Sequence, residues 1–415
     1  MRIVVYPHSM ELGGSQSNAV DLAGAMRDRG HEVVVFSPPG VLVDRVTGSG
    51  LRHVSAPRPR FRPSPAVMNR LCDVVADLDA DIVHGFEWPP ALEAVFGPER
   101  RLGVPAVCTV MSMSVAPFLP TWLPLTVGTR QILRSVIAER PGTILLEPVV
   151  DTRHDRPTDR DDAKHRWGIE PATLVVTLVT RLAAELKLEG ILAAINVVGD
   201  LAARLPVTLL IAGDGPARAD VAAAADRVNT VAGRPVVRVI GSLADPRPVY
   251  AAADVALGMG GSALRSMAFG QPLIVQGERG FWRLLEPATL PEFVEHGWYG
   301  VGTATGERAG EDALRNLLYP LLTDPARRVE LGAFARTTVH AHYGLTGAAE
   351  KLERFYAETI LAAVSDPPTR FVRPYLAATR YDLARKVRRR LHGVPDDDFN
   401  SLPAGQAPTG RATSR

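Results

Sequence analysis

The sequence predicts an α/β protein built of two doubly wound domains. Three observations carry that expectation. Short apolar runs rich in Val and Ile alternate with stretches of helical period, the rhythm stops at a polar segment and starts again, and 415 residues amount to about two to three ordinary domains. Strands alternating with helices feed parallel sheets, because a parallel partner is reached only through a crossover long enough to hold a helix.

The first half opens with Ile3 to Tyr6, a β-branched run, followed by the glycine-bearing turn Glu11-Leu12-Gly13-Gly14-Ser15. Val20 with Ala23, and Leu22 with Met26, fall at helical spacing, and Gly30 closes the helix as a C-terminal cap. His31 to Phe36 reads as the second strand, and Asp81 to His84 and Val104 to Val110 as further ones. Asp151 to His165, with Arg156-Pro157 and Asp161-Asp162, has the composition of a linker. Beyond it Thr173 to Thr180, Val207 to Ala212, Val236 to Ile240, Asp254 to Leu257 and Pro272 to Val275 are five more apolar runs at intervals that hold helices. The expected divisions are a first domain at 1–163, a second at 164–345, C-terminal helices at 346–392 that partly cross back to the first domain, and a disordered Pro/Ser/Thr/Gly-rich tail at 393–415. Two such sheets in tandem place a ligand cleft between the carboxyl ends of their strands.

Bulk chemistry narrows the function. Lys and Arg total 47 against 45 Asp and Glu, too balanced for wholesale nucleic-acid binding. Cys72 and Cys108 sit among apolar neighbours without metal-ligand spacing, so neither a disulfide framework nor a zinc module is expected. The first apolar run is too short for a signal-peptide core, and no stretch reaches the roughly 20 apolar residues of a spanning helix. The cytoplasm is the expected compartment.

Four patches can carry chemistry. Gly13-Gly14-Ser15-Gln16 lies at a strand-to-helix turn, where small residues let backbone N–H groups approach an anionic or hydroxylated ligand; it lacks the three-glycine spacing of a dinucleotide fingerprint. Thr180 to Lys187 follows the first strand of the second domain and offers Arg181 and Lys187 to a diphosphate. Gly213-Asp214-Gly215-Pro216 follows the next strand, as a ligand loop or as a plain β-to-α turn. Gly258, Gly260, Gly261 and Ser262 open a helix through Met267, presenting unpaired N–H groups suited to phosphate.

Taken in order and spacing, these patches resemble a retaining glycosyltransferase of the GT-B fold, in the large family 4-like group that includes sucrose and glycogen synthase-like enzymes. The resemblance covers about residues 1 to 360. It rests on Gly13-Gly14-Ser15-Gln16 with Gly30-His31-Glu32-Val33, Asp81-Ile82-Val83-His84 with Glu87-Trp88, and Val104-Pro105. It continues through Arg181 and Lys187, Ala212-Gly213-Asp214-Gly215-Pro216, Ile240-Gly241, Tyr250-Ala251-Ala252-Ala253-Asp254-Val255 and Met267-Ala268-Phe269-Gly270-Gln271-Pro272. It implies two Rossmann-like domains facing a cleft, with a nucleotide-sugar donor on the second, an acceptor on the first, and neither metal nor cofactor. Arg181 and Lys187 would stabilise the departing nucleotide diphosphate, with Gly13 and Gly14 closing on it from the first domain. Gly213, Gly215, Gly241, Gly260, Gly261 and Ser262 would line the donor site, and His84, as a third catalytic residue beside Arg181 and Lys187, and Glu87 would lie near the acceptor.

The departures from the family pattern are specific. The family carries two glutamates eight positions apart, the second in Glu-Ala-Met-Ala; here Arg265 stands at the second position, in Arg265-Ser266-Met267-Ala268, and the first has no counterpart. Arginine has donors and no acceptor, so ribose recognition differs and Arg265 becomes a candidate phosphate contact. Met111 replaces a histidine often found after the Val-Pro strand. Glu278, at the end of the fifth apolar run, is a candidate acidic residue facing the donor, while Phe281-Trp282 and Trp298-Tyr299 beside it equally suit an aromatic loop lid or plain packing.

Other constellations read as structural. Asp77-Leu78-Asp79-Ala80-Asp81 has an Asp-x-Asp spacing but precedes a strand, and His340 and His342 lie off one helical face. Asp396-Asp397-Asp398 is solvated charge in the tail. Ahead of that tail Arg370, Arg373, Arg380, Arg385, Lys386, Arg388, Arg389 and Arg390 interleave with Phe371, Tyr375, Leu376, Tyr381, Leu383 and Val387. This is a basic amphipathic helix that either sits on an anionic membrane surface, at the inner face of the membrane, or packs back on the first domain.

The expectation is therefore a metal-independent, retaining glycosyltransferase of carbohydrate biosynthesis, moving a sugar from a nucleotide-diphosphate donor, UDP- or GDP-linked, to a sugar or lipid-linked hydroxyl. A nucleotide-sugar-binding scaffold without catalysis and a nucleotide-sugar epimerase stay open beside it.

Overall fold

The computed structural model describes residues 1–11, 13–112, 114–243, 245–306, 308, 310–363 and 368–392; the expected disordered tail at 393–415 lies outside the described residues. The chain divides into two compact units, Met1–Glu147 with Ala348–Arg415, and Pro148–Gly347.

Unit 1 is built on β1 (Arg2–Pro7), β2 (Glu32–Ser37), β3 (Arg52–Ser55), β4 (Ile82–Phe86), β5 (Ala106–Val110), β6 (Leu125–Val127) and β7 (Ile144–Leu145), in the order β3-β2-β1-β4-β5-β6-β7, with every pairing parallel. β1 is an interior strand, Ile3 pairing with Val33 on one side and Ile82 on the other. Between the strands run α1 (Gly14–Asp28), α2 (Pro65–Leu78) and α3 (Trp88–Ala94). α1 stops where expected: Gly30 takes φ +88°, a backbone region open to glycine, and its N–H returns to the Arg27 carbonyl. The core joins Val4, Tyr6, Val34, Phe36 and Val83 of the sheet to Leu71 and Val75 of α2. Asp79 and Asp81 of the Asp-x-Asp run both pair with Arg2.

Unit 2 holds α4 (Arg160–Arg166), β8 (Leu174–Val179), α5 (Leu188–Leu201), β9 (Val207–Ala212), α6 (Arg218–Ala232), β10 (Val237–Gly241), β11 (Val255–Gly258), α7 (Gly261–Ala268), β12 (Leu273–Gln276) and β13 (Trp282–Leu284). The order is β10-β9-β8-β11-β12-β13, parallel except for the last pair. The segment read as a linker folds with this unit, because the buried Asp254 at the head of β11 draws it in. Lys164 Nζ and Arg160 Nη1 lie 2.9 and 3.0 Å from that carboxylate, which also accepts the Val175 N–H. β3, β6, β7 and β13 were not expected from sequence; each is short and at or near a sheet edge, so no long apolar run announces it.

The chain re-enters unit 1 within α8 (Leu345–Ala362) and ends its described part in α9 (Val372–His392). α9 rests on aromatic rings: Tyr375 meets Phe96 edge-on at 5.1 Å, and Tyr381 lies 4.5 Å from Phe118.

Candidate functional site

In a doubly wound sheet the strand order reverses at one point, and loops leaving the carboxyl ends of the two strands there diverge to leave a crevice. In unit 1 that point lies between β1 and β4, in unit 2 between β8 and β11.

At the unit 1 point, α1 begins with Gly13 as its N-terminal cap and no acidic residue in its first turn. A Cβ on Gly13 would fall 2.3 Å from Gln16 Oε1, whereas one on Gly14 would meet nothing within 4 Å. His84 and Glu87 leave β4 nearby but are occupied. His84 is fully buried, its Nδ1 bonded to Tyr356 Oη at 2.5 Å and its Nε2 to Thr109 Oγ1 at 2.6 Å, and burial pushes its pKa down to about 3. A neutral imidazole with both nitrogens engaged has none left for a substrate, so the expected catalytic part for His84 is replaced by a structural one. Glu87 accepts from the Met111 N–H at 3.0 Å and Ser112 Oγ at 2.9 Å. Burial raises its pKa and these donors oppose the rise. It thereby ties the exit of β4 to that of β5.

At the unit 2 point, the loop leaving β8 carries Arg181, exposed, and Lys187, half-buried. Among the described residues no carboxylate pairs with the Lys187 ammonium, and desolvation alone pushes its pKa down to about 8. From the adjacent strand β11 the chain passes through Gly260, φ +56°, into α7, which starts without a side-chain cap and without an acidic residue in its first turn. A Cβ at Gly260 or Gly261 would meet nothing within 4 Å. Ser262 turns back, its hydroxyl donating to the Met259 carbonyl at 3.0 Å. A desolvated cation and an uncapped helix N-terminus in the loops leaving neighbouring strands suit a phosphate or diphosphate.

Several expected donor contacts are supports. A Cβ on Gly213 would stand 1.8 Å from the Thr180 carbonyl oxygen and one on Gly215 2.4 Å from that of Leu182, so these glycines let the β9 loop bed the Arg181 loop. Their N–H groups are spent, Gly213 on the Gly241 carbonyl at 2.8 Å and Gly215 on Asp214 Oδ1 at 2.8 Å. The Gly260 N–H is likewise spent, on the Trp298 carbonyl at 2.7 Å. Arg265 donates through Nε to the buried Asp155 at 2.9 Å and so braces α7 against the 151–159 segment. Glu278 accepts from Tyr299 Oη and bridges to Val301, which fixes the loop beyond β12.

Residues 12–144 match the family model described as Glycosyltransferase Family 4, and residues 173–317 the one described as Glycosyl transferases group 1, together more than half of the chain. The chain belongs to this group of glycosyltransferases. Its fold is the GT-B fold of two doubly wound, Rossmann-like sheets. A glycosyltransferase from Rickettsia africae ESF-5 is similar at TM-score 0.67 and 13% identity, over 88% of this chain and 99% of that one. Anabaena HepE, solved in complex with UDP-glucose, is similar at TM-score 0.66 and 14% identity, over 86% of this chain and 100% of that one. The phosphatidyl-myo-inositol mannosyltransferase of Mycolicibacterium smegmatis is 37% identical over 92 residues, 20% of this chain and 24% of that relative's length.

In this glycosyltransferase the Lys187 loop is held by residues the sequence did not single out. Gln276, buried at the end of β12, donates to the Lys187 carbonyl at 3.0 Å, and Gly190 leaves room for it, since a Cβ there would lie 2.2 Å from Gln276 Nε2. Glu189, in the first turn of α5, accepts the N–H groups of Arg279 and Gly280 at 3.2 and 2.5 Å. A polar residue closing an apolar run was the one available signal for Gln276; for Glu189 there was none.

Proposed function

We propose that this chain transfers a glycosyl group from a nucleotide-diphosphate sugar to a hydroxyl of a carbohydrate or lipid-linked acceptor, unit 2 holding the donor and unit 1 the acceptor. The observation that carries the reading is the Lys187 ammonium, desolvated without a carboxylate partner, in the loop that leaves β8, the strand beside β11 whose exit opens the uncapped α7. A partly desolvated cation with no carboxylate partner is costly, and a diphosphate anion removes that cost on binding. As the sugar–phosphate bond breaks, negative charge grows on the leaving phosphate, and Lys187, Arg181 and the α7 N–H groups oppose it. Retention of configuration and independence of metal belong to the proposal, as does the absence of a cofactor. Among the described residues no group of three His, Cys, Asp or Glu side chains is placed to hold a metal ion. The solved relative bound to UDP-glucose supports a nucleotide-sugar donor, and the mannosyltransferase relative, named for phosphatidyl-myo-inositol, supports a lipid-linked acceptor.

The test is thermal unfolding with UDP, GDP, ADP and TDP on the parent, Arg181→Ala and Lys187→Ala proteins, followed by product analysis with the matching nucleotide sugar, with and without EDTA. A shift with one nucleotide that both substitutions remove, and acceptor glycosylation of retained anomeric configuration that EDTA leaves intact, is the expected result. Binding without turnover selects the scaffold, and a new nucleotide sugar without glycosylated acceptor selects the epimerase.

A further inference from the structure

α9 has two finished faces. The inner one is packed: Tyr375 and Tyr381 meet the rings of Phe96 and Phe118, Ala378 is buried in the same core, and the buried Asp382 accepts the Arg62 N–H at 3.1 Å and pairs with Lys386 at 2.8 Å. The outer one is apolar where a surface helix is ordinarily polar. Val372, Leu376, Leu383 and Val387 are 54, 52, 65 and 50% exposed, and their spacings of four, seven and four residues set them in one stripe along a helix of 3.6-residue period. Arg373 and Arg380 run along one side of the stripe, exposed and without a carboxylate partner among the described residues. Asp382, the one acidic residue in the α9 sequence, faces inward. The loop at 58–62 adjoins the helix, Lys386 donating to the Arg60 carbonyl at 2.8 Å, and adds exposed Arg58, Arg60 and Phe61.

We propose that the outer face of α9, with the 58–62 loop beside it, docks this protein on the surface of an anionic lipid bilayer. An apolar stripe bordered by arginines matches the layered chemistry of such a surface, with acyl chains receiving Val and Leu and anionic headgroups receiving the guanidinium groups. A second copy of the chain fits worse, since a two-fold contact would set the same positive charges against each other. No described helix is long and apolar enough to cross a membrane, so the contact is interfacial. This goes beyond the transfer reading and does not rest on it, because every residue invoked belongs to unit 1 and none to the donor site.

The experiment is co-sedimentation of the full chain with vesicles of phosphatidylcholine containing one third phosphatidylglycerol, and of phosphatidylcholine alone, at low and high salt. Expected is sedimentation with the anionic vesicles that high salt reverses. Leu376→Ser with Leu383→Ser weakens it about tenfold or more, Arg373→Gln with Arg380→Gln weakens it about tenfold or more, and both proteins keep the parent thermal midpoint because the side chains are exposed. Three results overturn it: no sedimentation with anionic vesicles, sedimentation that both double variants leave unchanged, or a concentration-dependent dimer in solution that Leu376→Ser with Leu383→Ser dissolves.

Discussion

At the carboxyl edge of the unit 1 sheet, His84 and Glu87 are buried and fully engaged, the imidazole by Tyr356 and Thr109, the carboxylate by Met111 and Ser112. At the same edge of the unit 2 sheet, Lys187 is desolvated and unpaired by any described carboxylate. The strand order around both edges is the same. Topology makes a crevice in each unit, and the balance of polar groups decides what the crevice does: satisfied groups hold loops in place, while an unsatisfied cation retains binding energy for an anion.

The largest effect comes from removing that cation. Lys187→Met lowers kcat/KM by roughly a hundred- to a thousandfold, about 2.7–4 kcal/mol of transition-state stabilisation, in steady-state assays with saturating acceptor. The same change stabilises the ligand-free protein. The folded pKa of about 8 lies below the ordinary 10.5, so the folded state binds the proton more weakly and stability is lost as pH falls from 10.5 towards 8. Methionine has no such loss, and urea unfolding at neutral pH gains about 2 kcal/mol once the shift is discounted for the partial exposure of the side chain. A variant that lost both activity and stability would erase the contrast between the two edges.

Glu87→Ala does the opposite in unit 1. It leaves the Met111 N–H and Ser112 Oγ without their acceptor and costs about 2 kcal/mol in urea unfolding, with donor-induced thermal shifts retained. Arg265→Ala asks which class Arg265 belongs to. As a brace for Asp155 its loss costs about 1–2 kcal/mol, discounted for partial exposure of the pair, and donor affinity changes little; a large loss of donor affinity at unchanged stability would return it to the phosphate contacts first expected.

The smaller effects are in pH. Donor affinity falls above about pH 8, where Lys187 releases its proton in the free protein, and calorimetry above that pH records proton uptake on donor binding, because the anion restores the ammonium. His84 shows no NMR titration as pH falls from 6.5 towards its depressed value of about 3. Since the unfolded chain takes up that proton and the folded one does not, stability declines over the same interval.

Much of this molecule was written in its sequence. The central strands announced themselves as uninterrupted apolar runs because both faces of a parallel sheet are covered, and the Gly-rich turns marked where strands give way to helices. Arg181, Lys187 and the Gly260-Gly261-Ser262 turn were singled out as candidates because charge and small residues stand out against such runs. What the tertiary structure alone decided was partnership. Asp254 recruited an apparent linker into unit 2, and Asp155 took up Arg265. Tyr356 closed over His84 from 272 residues away. Gly213 and Gly215 proved to be seats for a neighbouring backbone. A sequence shows which groups a residue can offer, whereas hydrogen bonding and desolvation depend on which atoms lie within about 3 Å, and only folding fixes that.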